Sequence, residues 1–257
     1  MTALLSIGIA AAAGPGLAAR LAPVVERAGL HALWVNDTPG DDALAVIAAA
    51  ARATDRLVLA TGVLPMDRRT PEGVAAEVRR LGLPRERLVL GIGSGAAGAG
   101  ALARVEAAAA TLRAERPART VVGALGPRMR RLAAEASDGV LLSWLTPDAA
   151  RVQAAEAHAV SSSTHVALYV RTAADAAAVP RLEAEAERYG GYPSYAANFA
   201  RLGVRAGETV IRPDGLADGI RHHRAGVDEL VLRAIVADET ASAYEGFVQA
   251  VAEAATA

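Results

Sequence analysis

The sequence predicts an α/β protein with one domain, a (β/α)8 TIM barrel, on three observations. Short apolar runs without polar alternation, the mark of strands buried on both faces, recur eight times. Each run is followed by a stretch with helical amphipathic spacing. Eight such units fill 257 residues, the usual length of that barrel. A doubly wound open sheet is the competing arrangement of the same alternation. No linker or low-complexity segment divides the pattern, so residues 1–257 read as a single domain.

The strands are expected at residues 4–10, 32–35, 57–63, 88–93, 120–125, 139–144, 165–172 and 229–236. The helical stretches are 17–28, 42–53, 71–81, 99–114, 127–136, 147–159, 173–202 and 240–255. Pro71, Pro127 and Pro147 stand near helix starts, where a missing N–H costs nothing. Gly29, Gly82 and Gly226 stand near helix ends, where a left-handed residue is wanted. Asp41 and Asp42 read as caps of the second helix. The seventh helical stretch is the longest and is expected to break around residues 189–195. The apolar run at 4–13 precedes the first basic residue, Arg20, whereas a secretory signal normally begins with positive charge. It reads as a buried first strand before a Gly-Pro-Gly turn. No apolar run approaches about 18 residues free of charge, so the chain is expected to be cytoplasmic with no membrane partner.

Composition narrows the chemistry. All 27 basic residues are Arg, balanced by 28 acidic residues for a net charge of −1, and there is no Lys and no Cys. Without Lys there is no Schiff-base chemistry and no pyridoxal-phosphate anchor. Without Cys there is no thiolate nucleophile, disulfide, iron–sulfur cluster or thiolate zinc site. The even charge balance gives no reason to expect a nucleic-acid partner.

In such a barrel the active site lies at the carboxyl ends of the strands. The residues there are Ala10-Ala11, Asn36-Asp37, Gly62-Val63, Gly91 through Gly95, Gly123 through Pro127, Ser143-Trp144, Arg171-Thr172 and the neighbourhood of Arg233. One acid, two arginines, hydroxyls and much bare backbone contain no Ser/His/acid set, carboxylate pair or metal cluster. Such an inventory suits a protein that holds a cofactor and lets it supply the chemistry. His222 and His223 are adjacent on a helix and point about 100° apart, so they do not form a chelating pair. His31, His158 and His165 read as solvated or satisfied, and Arg79-Arg80 and Arg130-Arg131 as ordinary helix faces.

Several segments resemble the bacterial luciferase-like monooxygenase family. They are GLHALWVND at 29–37, LVLATGVLPMDRRTP at 57–71, LVLGIGSG at 88–95 and VGALGPRMRRLAAEASDGVLLS at 122–143. Later segments, YGGYPSYAANFARLGV at 189–204 and GVDELVL at 226–232, are similar to its C-terminal part. The resemblance implies a (β/α)8 barrel, commonly dimeric, that binds FMN or the deazaflavin coenzyme F-420. The activity it implies is hydride transfer or monooxygenation of a small organic substrate. The C-terminal segments and the GC-rich composition lean towards F-420.

Carried onto these residues, the resemblance implies a non-prolyl cis peptide at Gly62-Val63, bulging against the coenzyme ring. Gly93 and Ser94 would border that ring, with room left by the small residues and a hydrogen bond from Ser94. Gly123, Gly126, Pro127 and Arg128 would turn the fifth strand into a helix whose free N–H groups face a phosphate. Trp34 and Trp144, the only tryptophans, would line the substrate side or lie in the core. Two departures stand out. Many members carry His directly after the acid at the second strand end, and here Thr38 follows Asp37, leaving Asp37 as the one candidate catalytic group. The chain is also short for the family, so the site is expected to be open. Both departures keep a second reading in view, a non-catalytic barrel that binds a cofactor or metabolite.

Overall fold

Eight parallel strands close into a ring in the computed structural model, which describes residues 3–95 and 98–256. The chain runs through β1 (Leu4–Ala10), α1 (Gly14–Arg27), β2 (Ala32–Asn36), α2 (Ala43–Arg52), β3 (Val58–Thr61), β4 (Leu64–Pro65) and α3 (Pro71–Arg80). It continues with β5 (Leu88–Gly93), α4 (Ala101–Glu115), β6 (Arg119–Gly123), α5 (Pro127–Ala136), β7 (Gly139–Ser143) and α6 (Pro147–Val160). The last elements are β8 (His165–Ala173), α7 (Val179–Gly190), α8 (Pro193–Leu202), α9 (Leu216–Arg224), β9 (Glu229–Ile235) and α10 (Ala241–Ala254). Strand β1 pairs with both β2 and β9, and β3 pairs with β5, so no long edge is left open. That closure excludes the open sheet.

The expected third strand is two pieces. β3 stops at Thr61, the Gly62-Val63 peptide is cis, and the short β4 resumes the pairing with β5. The seventh helical stretch divides as expected, with α7 ending at Gly190 and α8 starting at Pro193. Helix α9 lies outside the eight expected helical stretches, although it carries His222 and His223, expected on a helix, and ends just before Gly226, expected near a helix end. Its nine residues bury only Ile220 and His223. Helix starts follow their capping residues. Thr70, Thr146 and Thr240 accept hydrogen bonds from the N–H groups of Gly73, Ala149 and Ala243, and Asp42 accepts from Leu44. Each such cap is worth about 1 kcal/mol. Arg130 departs from the reading of an ordinary helix face: it is buried, with its guanidinium on Glu156 at 2.6 Å and on the Leu125 carbonyl.

Strand residues alternate between two apolar shells. Ile7, Ile9, Leu33, Val35, Leu90, Ile92, Leu142 and Leu168 face the helices in one continuous core. Trp34, Ala60, Val89, Val121, Leu141, Tyr169 and Val231 fill the barrel interior. Each fully buried large side chain contributes about 1.5–3 kcal/mol. Two bulky rings fit this interior because glycines face them. A Cβ on Gly62 would lie 3.2 Å from the Trp34 ring, and one on Gly8 would collide with the Tyr169 hydroxyl.

Candidate active site

The interior positions define the site by simple parity, since every second residue of a strand faces the same way. Two residues beyond Trp34, Ala60, Val121, Leu141, Tyr169 and Val231 stand Asn36, Gly62, Gly123, Ser143, Arg171 and Arg233. These residues ring the carboxyl end of the barrel.

The Gly62-Val63 peptide is tied to that ring. Asn36 donates its side-chain amide to the Gly62 carbonyl, and the Tyr169 hydroxyl donates to the Asn36 side-chain oxygen. Burial pushes the Tyr169 phenol well above its ordinary pKa, so it stays a donor at any working pH. The Gly62 N–H is held by the Val35 carbonyl at 2.9 Å, and Thr61 Oγ1 donates to the Gly91 carbonyl at 2.9 Å. The Val63 side chain then drops into a cradle of two glycines. A Cβ on Gly93 would stand 2.6 Å from one Val63 methyl, and a Cβ on Gly123 2.9 Å from the other. The space that Gly93 and Gly123 leave is therefore taken by Val63, and a ring bound at the barrel mouth would meet Val63 first. Ser94 is half-buried, and among the described residues its hydroxyl has only a long contact of 3.4 Å with the Gly95 carbonyl. It is free to turn towards a ligand.

Three residues past Gly123, Gly126 precedes α5 in an extended conformation and Pro127 occupies the first helical turn. The N–H groups of Arg128 and Met129 have no partner within the helix. Arg128 is exposed and carries no ion pair or hydrogen bond among the described residues. A second guanidinium reaches the same place from α8. Arg201 donates to the Leu125 carbonyl at 2.8 Å and to Asn198, and lies 3.8 Å from where a Gly126 Cβ would be. Sequence reasoning missed Arg201, because nothing in its local pattern says that α8 folds back over the turn before α5.

Trp144 directly follows β7 with a φ of 57°, a left-handed conformation rare for a large side chain. It is buried, and its indole N–H has no partner among the described residues. Tyr189 packs on it at 4.8 Å between centroids and Phe199 edge-on at 5.9 Å. The Arg171 guanidinium lies 4.2 Å from the Trp144 ring and 4.8 Å from the Tyr189 ring, held by Ser143 at 2.7 Å and Glu185 at 3.2 Å. Burial alone would raise the Glu185 carboxyl, but the charges of Arg171 and Arg233 outweigh it and hold it below its ordinary range. Helices α7 and α8 thus wall one side of the mouth with aromatic surface.

Asp37 and Thr38 are used differently. The Asp37 carboxylate is almost wholly buried. It receives Arg69 at 2.8 and 3.2 Å and the Ala43 N–H at 3.1 Å, with Arg68 at 3.7 Å. Thr38 accepts from the Ala12 N–H at 3.2 Å and donates to Asp41 at 2.9 Å, joining the first two loops. Trp34 stands deeper than the substrate side: its N–H donates to Glu229 at 2.7 Å near the other end of the barrel, and its ring edge lies under Gly62. Among the described residues no group of three or more His, Cys, Asp or Glu could hold a metal ion.

Comparison with known proteins agrees with this geometry. The luciferase-like monooxygenase pattern matches residues 5–99, the stretch that carries β1 to β5 and the Gly62-Val63 turn. No curated protein matches the sequence. Among solved structures, the coenzyme F-420-dependent tetrahydromethanopterin reductase of Methanopyrus kandleri superposes with a TM-score of 0.66 at 17% identity. That alignment covers 97% of this chain and 98% of the reductase. A monooxygenase from Streptomyces bottropensis gives 0.69 at 18% identity, covering 98% of each chain. The oxygenating constituent of a Pseudomonas putida 3,6-diketocamphane monooxygenase, solved with FMN, gives 0.71 at 14% identity, again over 98% of each chain. Residues 5–99 thus carry the signature of the luciferase-like monooxygenases, on a barrel whose fold is like theirs over nearly the whole chain.

Proposed function

We propose that the protein is an oxidoreductase that uses coenzyme F-420 or FMN to oxidise or reduce a small organic substrate. The observation that carries this reading is the unpartnered Arg128 guanidinium beside the free N–H groups of α5, at the same mouth as the Val63 platform. The first is a site for a phosphate and the second a flat apolar seat for a ring. The residues present fit such a coenzyme, because its anionic tail needs donors without a bound acceptor and α5 supplies them. The solved relatives that use F-420 or are bound to FMN have the same barrel.

In this reading Gly126 and Pro127 shape the turn, the N–H groups of Arg128 and Met129 and the Arg128 guanidinium hold the phosphate, and Arg201 stands beside them. When bound, the coenzyme supplies the ring that gives or takes hydride. Val63 supports that ring, with Gly62 fixed by Asn36 and Tyr169 and with Gly93 and Gly123 beneath. Ser94 offers a hydroxyl at its edge. Trp144, Tyr189 and Phe199 exclude water from the substrate side. Asp37 acts through the loop: both of its oxygens are occupied, so it positions Arg69 and α2 and does not meet a substrate. The same reading takes the chain as a homodimer in the cytoplasm, which sedimentation and fractionation test.

Titration of the purified protein with FMN and with F-420, followed between about 350 and 500 nm, decides the matter. Micromolar binding of either is expected, and Arg128→Ala should weaken it about tenfold by removing one charged hydrogen-bonding partner. Binding of neither would overturn the proposal. The full engagement of Asp37 and Thr38 favours one other reading, a coenzyme-binding barrel without turnover, which binding without reduction by any donor would establish.

A further inference from the structure

The circular strand order fixes which part of the mouth a bound coenzyme would leave free. The ring runs β1, β2, β3, β5, β6, β7, β8, β9, so β9 lies across the barrel from β5. The Val63 cradle and the turn before α5 occupy the side of β3, β5 and β6. The facing side belongs to β8, β9 and β1, where Arg171, Arg233 and Gly8 stand abreast. Strand β1 brings no inward side chain there longer than the half-buried Ala10 methyl. Arg171 is buried and committed to Ser143, Glu185 and the Trp144 ring. Arg233 is half-buried, donates to the Ala234 carbonyl, and has no ion pair among the described residues. Glu185 feels the charges of both, and Arg188 stands 3.9 Å from it. Three guanidiniums thus act on one carboxylate, which leaves positive charge in excess. Carboxylates on the adjoining loops are engaged elsewhere: Asp37 by Arg69, Asp175 by the Ala177 N–H, Asp238 by Thr240 and Glu239 by Arg181. The half-buried rings of Tyr189 and Tyr195, 4.9 Å apart, give this side an aromatic wall beside Arg171.

We propose that the substrate is an organic carboxylate with a flat apolar body, and that Arg233 is the residue that selects it. The proposal rests on the coenzyme reading for the side of the mouth that the coenzyme takes. The planar fork of Arg233 matches a carboxylate and has no carboxylate partner of its own. Arg171, held in place by Glu185 and Ser143, adds its charge from below without leaving its own partners. The body of the substrate then lies between the tyrosine wall and the ring seated on Val63. A neutral molecule of the same shape would displace water from Arg233 and offer no charge in return, so the site discriminates against it.

Calorimetric titration of the full chain with benzoate and with benzamide, its neutral counterpart of the same shape, tests this. Each titration is run alone and in the presence of FMN or F-420, whose own binding is followed by absorbance. Four proteins are compared: the unaltered chain, Arg233→Gln, Arg233→Lys and Arg128→Ala. The unaltered chain is expected to bind benzoate at least about tenfold more tightly than benzamide. Arg233→Gln should lose that preference, Arg233→Lys should keep part of it, and Arg128→Ala should keep all of it. Circular dichroism checks that the variants fold, and the ratio of the two probes is a reading that a merely structural role would not move. Binding of neither probe, equal binding of both, an unchanged preference in Arg233→Gln, its complete loss in Arg233→Lys, or its loss in Arg128→Ala would each overturn the proposal. A chain that takes neither coenzyme yet prefers benzoate through Arg233 would end the coenzyme reading and leave the anion site standing. A chain that takes a coenzyme and shows no preference would do the reverse.

Discussion

Glycine at position 91 has a purpose that only its neighbour explains. A Cβ there would collide with the Thr61 carbonyl, a backbone atom that cannot swing aside. Gly91→Ala is therefore expected to destabilise the fold by about 3 kcal/mol, the upper range for overpacking a tight interior, seen as a lower urea midpoint with little change in slope. An unchanged midpoint would mean that β3 and β5 separate more easily than their shared hydrogen bonds suggest. Gly93 differs in kind, because the atom it would strike is a Val63 methyl that can move. Asn36 was legible as a residue at the end of the second strand, whereas Tyr169, in the middle of its strand, was not singled out. The bond between them was not legible, since 133 residues separate them in sequence.

Loops set the geometry of the mouth through a few charged anchors. Asp37 on the β2–α2 loop takes Arg69 from the β4–α3 loop, and Arg69 also reaches Asp42, the cap of α2. Arg69→Met would leave the Asp37 carboxylate buried with fewer donors. A loss of about 2 kcal/mol is expected, less than for a fully enclosed pair because Arg69 is partly exposed and Arg68 remains near. Chemical denaturation measures the loss, and a drop below about 0.5 kcal/mol would show that Arg68 or water replaces it. Most helices were readable from caps and proline positions, as at Thr70-Pro71 and Thr146-Pro147. The short α9 was legible only at its end, from His222, His223 and Gly226, because Gly215 before its start offers no capping side chain.

Closure of the ring makes stability a property of the whole molecule, and its pH dependence follows from buried groups on several strands and helices. Burial lowers the pKa of His31, and lowers that of His223 against the opposing effect of its backbone hydrogen bond to Gly219. Both fold neutral, so the unfolded chain binds protons that the native state refuses once pH falls below the ordinary value of 6.5. Stability is expected to decline from that point downward until the folded values are reached. Glu229 adds a second phase. Burial acts against its charge, but hydrogen bonds from His165, Ser6 and Trp34 outweigh this and hold its carboxyl below 4.5. Its contribution is present above pH 4.5 and is lost as pH falls through the lower folded value. Thermal melts across this range should show both declines. Replacing His31 and His223 by Gln should flatten the first and leave the second, and a first decline that persists in that double variant would assign it to other groups.

The sequence by itself determined an α/β fold of eight repeated units, because eight apolar runs alternate with helical spacing, and the tertiary structure decided for the closed barrel over the open sheet. It also determined which chemistry is missing. With no Lys and no Cys, an anion at the proposed coenzyme mouth would meet Arg128, Arg201 and backbone N–H groups. Tertiary structure alone decided what each site residue does. Gly93 and Gly123 receive Val63, Asp37 is bound up in a loop, Trp34 reaches the far end of the barrel, and Arg201 arrives from another helix. The division has a physical cause. Hydrophobic period and helix caps act over a few residues and are written locally. The contacts at a barrel mouth join strand ends far apart in the chain, and they exist only once the ring has closed.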